Sequence, residues 1–403
     1  MKLLGNLALV MMVTALAAGC GNSSKTTGSN VQAISVNLGP ENNYPNGIFT
    51  SVTVCAPGTS TCQTINDVLV DSGSYGLRLL GSAVNGVALP QQVISGNSIG
   101  ECTPFVSSFT WGPVVTADVR IAGEMASSVP VAMIGAYSSI PSFPSPPSAC
   151  SSGAGAESDT LATLGANGIL GIGVFASDCG NSCVSDQTND IYFACNGGAC
   201  ASTAQSLANQ VQNPVALFAS DNNGVQIQLP AISNNGEATA SGSLIFGIGT
   251  QSNNGLGSAQ ILTTDSGGNV NTEFNGTSYA DASFIDSGSN ALYFPDSSIT
   301  QCTGNNAGFY CPASTLSLAA TMSGQNGVSV NVPFAVANAD MLSSANNGNN
   351  AAFNDLAASS DSSGSGLTGD FDWGLPFFYG RNVYFAIAGR NVAEAPVAPF
   401  VAY

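Results

Sequence analysis

Two carboxylates carry the chemistry this chain has to offer. The segment Val68-Leu69-Val70-Asp71-Ser72-Gly73-Ser74 recurs late in the chain as Phe284-Ile285-Asp286-Ser287-Gly288-Ser289, and a leucine follows three residues after each copy, at Leu77 and Leu292. In both copies an apolar run that reads as a buried strand ends in an Asp, and Ser-Gly-Ser supplies turn chemistry behind it. A carboxylate at the mouth of a buried strand is costly unless something accepts it. A second one, presented in the same way, points to two related lobes that each offer one Asp to a shared cleft. The chain has no histidine. That excludes a Ser-His-Asp triad, a Cys-His pair and the usual His-bearing zinc sites. Paired carboxylates are the natural acid and base that remain, with tyrosine, lysine-free serine arrangements and pure binding still open. A third Asp-Ser-Gly, at Asp265-Ser266-Gly267, has no apolar strand before it and reads as a turn.

The elements that must position these residues read as β throughout. With 403 residues and 44% hydrophobic content there is material for a large core or two lobes, and 47 glycines without helical heptads favour an all-β, loop-rich chain. Alternating runs at 32–38, 49–54, 65–70, 105–111, 114–121 and 129–134 read as strands. Gly112-Pro113, between two of them, reads as a hairpin. Asn167 to Gly173 is an apolar strand enclosed by glycines, a sign of close backbone approach. Residues 176–212 read as loops with at most a short helix near 204–211. Strands at 225–229 and 243–247 flank a small-residue connection, which places the lobe boundary near residue 240: an N-terminal lobe of 31–240 and a C-terminal lobe of 241–403. Further strands fall at 328–336 and 382–388, around a loose region at 337–369.

Charge and cysteines set the compartment. Only 7% of residues are charged, yet the net charge is −18, and the six cations are Lys2, Lys25, Arg78, Arg120, Arg381 and Arg390. So few cations exclude nucleic acid as a partner. They also suit an acidic medium, although an ordinary acidic secreted protein has the same composition. Residues 1–20 read as an export leader. Leu16-Ala17-Ala18-Gly19-Cys20 resembles a bacterial lipobox, with Ala17 where leucine is usual, so Cys20 is the expected lipidation site and cleavage by an ordinary signal peptidase is the alternative. Residues 21–30 are a flexible tether, too short to fill a cleft. The lack of Asp after Cys20 favours the outer membrane by resemblance to lipoprotein sorting. The ten other cysteines read as disulfides, Cys55 with Cys62, Cys302 with Cys311, Cys102 with Cys150, and two pairs within 179–200. Zinc at the Cys179-x3-Cys183 and Cys195-x4-Cys200 spacings is the weaker reading.

The paired apolar-apolar-Asp-Ser-Gly-Ser segments in an exported, cysteine-rich β chain resemble the pepsin-like aspartic peptidases. Gly168-Ile169-Leu170-Gly171, Gly242 to Gly247 and Gly374 to Ile387 fall in that family's order and look like its crossing strand, the opening of its second lobe and its C-terminal run. The chain also looks like uncharacterised bacterial lipoprotein families that share this architecture. The resemblance implies an all-β, bilobal acid-protease barrel fold with a cleft between the lobes, and a water activated by Asp71 and Asp286. It implies that Gly73 and Gly288 let the backbone approach the opposing carboxylate, and that Ser74 and Ser289 hold the two Asp side chains in plane. It also implies a flap over the cleft, where Trp111 stands in the place of the family's tyrosine. Trp111 is equally readable as an ordinary aromatic at a hairpin end.

Two departures stand out. Asp372-Trp373-Gly374 replaces the expected apolar-apolar-Gly, which puts the crossing strand of the second lobe in doubt. Arg78 follows the first motif closely, where a cation would lower the dyad's pKa values unless it points to solvent. The expectation is therefore a monomeric, lipid-anchored endopeptidase of the cell envelope, acting on extended peptides or unfolded protein without cofactor or metal. The alternative is a non-catalytic envelope binding or structural protein on the same fold.

Overall fold

The computed structural model describes residues 30–151, 155–362 and 367–403. The leader, Cys20 and nearly all of the tether lie outside the described residues. Strands come first because the sequence is dense in Val, Ile and Thr at alternating positions. The strands that build and flank the site are, in chain order, β1 (Val31–Asn37), β2 (Gly47–Cys55), β3 (Cys62–Asp71), β4 (Tyr75–Leu80), β5 (Asn97–Pro104), β6 (Ser108–Ile121), β7 (Glu124–Ile134) and β8 (Gly168–Ile172). Next come β9 (Gly224–Gln228), β10 (Ala240–Phe246), β11 (Val270–Phe274), β12 (Thr277–Ile285) and β13 (Leu292–Tyr293). The last are β14 (Leu316–Ser323), β15 (Ser329–Val336), β16 (Phe371–Trp373), β17 (Asn382–Ala386) and β18 (Phe400–Ala402). The fold is all-β, with closed and nearly closed barrels. Among the described residues no helix is long and apolar enough to cross a membrane.

One topological device occurs twice. In the first half β8 inserts between β3 and β4, parallel to β3 and antiparallel to β4. The loop from β3 to β4 therefore leaves the sheet at Asp71 and returns on the far side of β8. In the second half β16 inserts between β12 and β13 in the same way. Asp372 does not abolish this crossing strand, because its backbone pairs on both edges whatever the side chain. The halves are joined by sheet as well as by chain: β10 pairs with β1 and with β9, and β9 pairs with β17. Residue 240 thus begins a strand of that shared sheet. The core beneath the first half is aliphatic, with Val68, Val70, Leu77, Val131 and Leu170 all buried. Beneath the second it is aromatic: Phe371 packs on Phe294 at 5.2 Å and on Trp373 at 4.7 Å, and the Trp373 indole donates to Thr272 Oγ1 at 2.9 Å.

Several local expectations change. Gly112-Pro113 is not a hairpin; β6 runs through it, with Gly112 opposite Glu101 and Pro113 opposite Gly100. The glycine is required there because a Cβ would sit 1.7 Å from the Met133 carbonyl oxygen. The turn lies earlier, at 105–107, where the Phe105 N–H closes on the Ser108 carbonyl at 2.7 Å. Residues 176–212 hold a strand pair, Tyr192–Asn196 with Ala199–Ser202, a short helix at Ser182–Ser185 and a 3-10 turn at Leu207–Asn209. The region 337–369 contains a helix at Ala339–Ser344, capped by the Asn338 side chain. The disulfides are Cys55–Cys62, Cys102–Cys150, Cys179–Cys183, Cys195–Cys200 and Cys302–Cys311, so the zinc reading of 179–200 falls. Five such bonds suit an oxidising, extracytoplasmic compartment.

Arg78 is neither solvent-exposed nor free to act on the dyad. It is 1% exposed, and its guanidinium pairs with Glu101 at 2.7 Å and Asp178 at 3.2 Å. It also donates to Thr103 Oγ1 and to the Tyr75 carbonyl, each at 2.9 Å. Burial with two acids pushes Asp178 well above the usual carboxylate range, through its own desolvation first and Glu101 second. The cluster ties β4, just past the first Ser-Gly-Ser, to the β5 arm of the hairpin. Arg78→Ala strands two buried acids, so we expect a loss of about 3–5 kcal/mol in urea unfolding. A loss under about 1 kcal/mol would show that the brace carries no stability.

Candidate functional site

The two Asp-Ser-Gly-Ser loops meet face to face. The Ser72 N–H donates to Ser287 Oγ at 3.0 Å and the Ser287 N–H to Ser72 Oγ at 2.8 Å. Each hydroxyl then passes its own proton across to the opposite strand, Ser287 to the Val70 carbonyl at 2.8 Å and Ser72 to Ile285 at 3.2 Å. These four bonds, all buried, fix the distance and the near-twofold relation of the two Asp residues. Sequence reasoning saw both serines in the repeat but gave them no role. Their signal was their identity in both copies.

Within this frame Asp71 and Asp286 lie side by side. The Gly73 N–H donates to Asp71 Oδ1 at 2.8 Å and also to Asp286 Oδ1 at 3.1 Å, so one proton bridges both carboxylates. The Gly288 N–H donates to Asp286 Oδ1 at 2.7 Å. Ser74 Oγ bonds Asp71 Oδ2, and Ser289 Oγ donates to Asp286 Oδ2 at 2.9 Å. Nothing but glycine fits between: a Cβ on Gly73 would lie 2.6 Å from Asp286 Cγ, and one on Gly288 2.7 Å from Asp71 Oδ1.

This closeness governs ionisation. Asp286 is pushed up to about 8, first by burial and then by the charge of Asp71 and a hydrogen bond between the two carboxyls, while the Gly288 N–H and Ser289 hydroxyl pull the other way. Two carboxylates this close hold one proton between them, and the proton belongs to the pair. Tyr44 and Tyr75 flank the dyad, their phenols raised first by burial and then by the charges of Asp71 and Asp286.

The dyad forms the floor of two depressions of about 400 and 280 Å³, both roofed by Phe105 and Val106 at the turn between β5 and β6. Leu69, Ile169 and Tyr293 wall the first, while Tyr75, Phe284 and Phe385 wall the second. Among the described residues, the only charged side chains lining either are the two Asp. A larger hollow of about 640 Å³ lies away from them, beside Ser139–Pro144, and no acid or base lines it. Trp111 sits on the same hairpin as Phe105 but lines neither depression. Its indole is 3% exposed, packs on Phe143 and Phe193, and donates to the Pro144 carbonyl at 2.8 Å. The roof of the dyad is therefore the hairpin tip, which carried no sequence signal beyond its aromatic. Cys302, Cys311 and Asp340 converge elsewhere, but the two sulfurs are bonded to each other and so are lost as metal ligands.

The linkage has a definite sign. A carboxyl whose folded pKa is raised adds stability below its unfolded value, near 4, and loses it as pH rises through about 8. We expect wild-type stability to fall across this window with a slope of up to about 1.4 kcal/mol per pH unit from this group, and Asp286→Asn to flatten it. Parallel pH–stability curves for the two proteins would contradict the shared-proton pair.

Residues 26–403 match the family described as "Protein of unknown function (DUF3443)", and the chain belongs to that family. No curated protein matches it.

Proposed function

We propose that this family member is an aspartic endopeptidase of the cell envelope, built on a bilobal pepsin-like fold and hydrolysing peptide bonds in extended peptides or unfolded protein. The observation that carries the reading is the single Gly73 N–H shared by Asp71 Oδ1 and Asp286 Oδ1, which marks two carboxylates held close enough to share a proton. A protein that only binds has no chemical need for such a pair, because its repulsion costs stability at neutral pH.

In the mechanism the ionised Asp removes a proton from a water lying between the carboxyls. The water oxygen attacks the peptide carbonyl carbon, while the protonated Asp gives its hydrogen bond, and then its proton, to the carbonyl oxygen. In the second half the first Asp returns the acquired proton to the amide nitrogen, the C–N bond breaks, and the proton of the new hydroxyl goes back to the pair. No covalent enzyme intermediate forms. Phe105 and Val106 above the dyad screen the reacting atoms from bulk water. The two depressions on either side of the dyad receive the residues flanking the scissile bond, with walls suited to apolar and aromatic side chains.

The test is cleavage of an unfolded protein by residues 21–403 across acid to neutral pH. Asp71→Ala and Asp286→Ala should each reduce the rate by about 10²- to 10⁴-fold while remaining folded. The wild-type rate should fall above about pH 8, as the last proton leaves the pair. A rate that climbs from neutral into alkaline pH would contradict the mechanism. A folded wild type that cleaves nothing at any pH would favour an envelope binding protein on the same fold.

The envelope assignment adds lipidation of Cys20 and anchoring to the outer membrane, supported by the lipobox-like leader and the disulfides. Cys20→Ala should shift the protein from the detergent phase to the soluble phase of a partition assay. Unchanged partitioning would leave cleavage without a lipid anchor.

A further inference from the structure

A third carboxyl stands behind the dyad. Asp372 lies on β16 opposite Phe284 of β12 and Tyr293 of β13. In the first half the same register position, opposite Leu69 of β3, is held by Ile169, an apolar residue in the wall of the depression. The neighbouring pairs confirm the equivalence: Leu170 lies opposite Val70 and Leu77, Trp373 opposite Ile285 and Leu292. One half thus carries a carboxyl where its twin carries a butyl group.

That carboxyl is 0% exposed, and among the described residues neither of its oxygens makes a well-aligned hydrogen bond, although the Ser289 hydroxyl lies close enough to act on it. It is the one buried carboxylate among the described residues with both oxygens unmatched. By contrast, Asp118 accepts backbone N–H groups from Gly58 and Ser128, and Asp221 is bonded by Thr250 and Gln251. The groups that act on Asp372 are the charges of Asp286, Asp71 and Asp370 and the hydroxyl of Ser289, and its register partner Tyr293 carries a phenol. All the titratable ones are acids, and among the described residues no cation pairs with it. A buried carboxyl in acidic company stays a neutral acid, and a neutral acid has a proton to give. The acceptor at hand is Ser289, whose own proton is already committed to Asp286 Oδ2 at 2.9 Å.

We propose that Asp372 is a positioning residue of the dyad: it donates a hydrogen bond to Ser289 Oγ and thereby fixes the hydrogen bond from that hydroxyl to Asp286. The chain Asp372 to Ser289 to Asp286 runs in one direction and stabilises the charged form of Asp286. It exists in one half only. Burial drives Asp372 well above the usual carboxylate range, with the charge of Asp286 second and Ser289 opposing, so its proton stays in place while the dyad titrates.

The spectroscopic test is independent of any activity. Infrared difference spectra of wild type minus Asp372→Asn at neutral pH should show a protonated-carboxyl C=O band belonging to Asp372. In Ser289→Ala that band should move to higher frequency as its acceptor is lost. Absence of the band, or a band unmoved by Ser289→Ala, would overturn the proposal. The kinetic arm rests on the peptidase reading. Asp372→Asn, whose amide can also donate to Ser289, should keep kcat within about threefold and leave the alkaline limb of kcat/KM in place. Asp372→Ile, the residue of the first half, should lose roughly tenfold in kcat at similar KM. Its alkaline limb should also move up by about half a pH unit or more. An Asp372→Ile enzyme with wild-type kcat and pH profile would overturn the proposal, and Asp372→Val serves if the Ile variant does not fold. If wild type cleaves nothing, the peptidase reading fails while the infrared result still decides this one.

Discussion

Like charges at contact distance cannot coexist in a protein interior, and this structure is arranged around that constraint. Asp71 and Asp286 are brought together by strands that end at the same point from opposite halves of the chain. The crossed bonds of Ser72 and Ser287 keep them there. Without the serine bonds the carboxylates would separate until water screened them. With those bonds, the least costly state is one proton shared by two acids. An acid–base asymmetry thus comes from forcing two identical groups into one place.

The surrounding elements serve the same end. β8 and β16 insert beside each Asp-bearing strand and set where the loops leave the sheet. Glycine at Gly73 and Gly288 is obligatory, because a side chain would occupy the space of the opposing carboxylate. Arg78, soon after the first loop, spends its charge on Glu101 and Asp178 and holds the hairpin whose tip roofs the dyad. The positive charge therefore supports the roof and leaves the dyad's own repulsion uncompensated. Asp372 extends the accumulation of acids one shell outward, at a position that apolar packing alone would fill with something like Ile169.

Much of this was legible in the sequence. An apolar run ending in Asp-Ser-Gly-Ser is informative when it occurs twice, because each copy explains the cost of the other. Alternation marked most strands, and the close spacing of Cys55 with Cys62 and Cys302 with Cys311 marked local bridges that the structure contains. What escaped depends on contacts distant in sequence. Gly112-Pro113 has turn composition, yet its glycine serves the approach of the Met133 carbonyl from another strand. Trp111 was readable either as a flap residue in the place of the resembled family's tyrosine or as an ordinary aromatic at a hairpin end, and only its packing against Phe143 and Phe193 shows which way the side chain points. Asp372 was visible as a break in an apolar pattern. Its meaning was not, because backbone pairing preserves the strand and only the fold shows which hydroxyl it faces.

The central claim is that Asp71 and Asp286 form one titrating unit. The most direct measurement is a ¹³C NMR titration of the aspartate carboxyl carbons, assigned with Asp71→Asn and Asp286→Asn. The account predicts two well-separated steps seen at both residues, the later one near pH 8. It also predicts that removing either Asp collapses them to one. Independent ionisation of both residues in the ordinary carboxylate range, each indifferent to loss of the other, would contradict it.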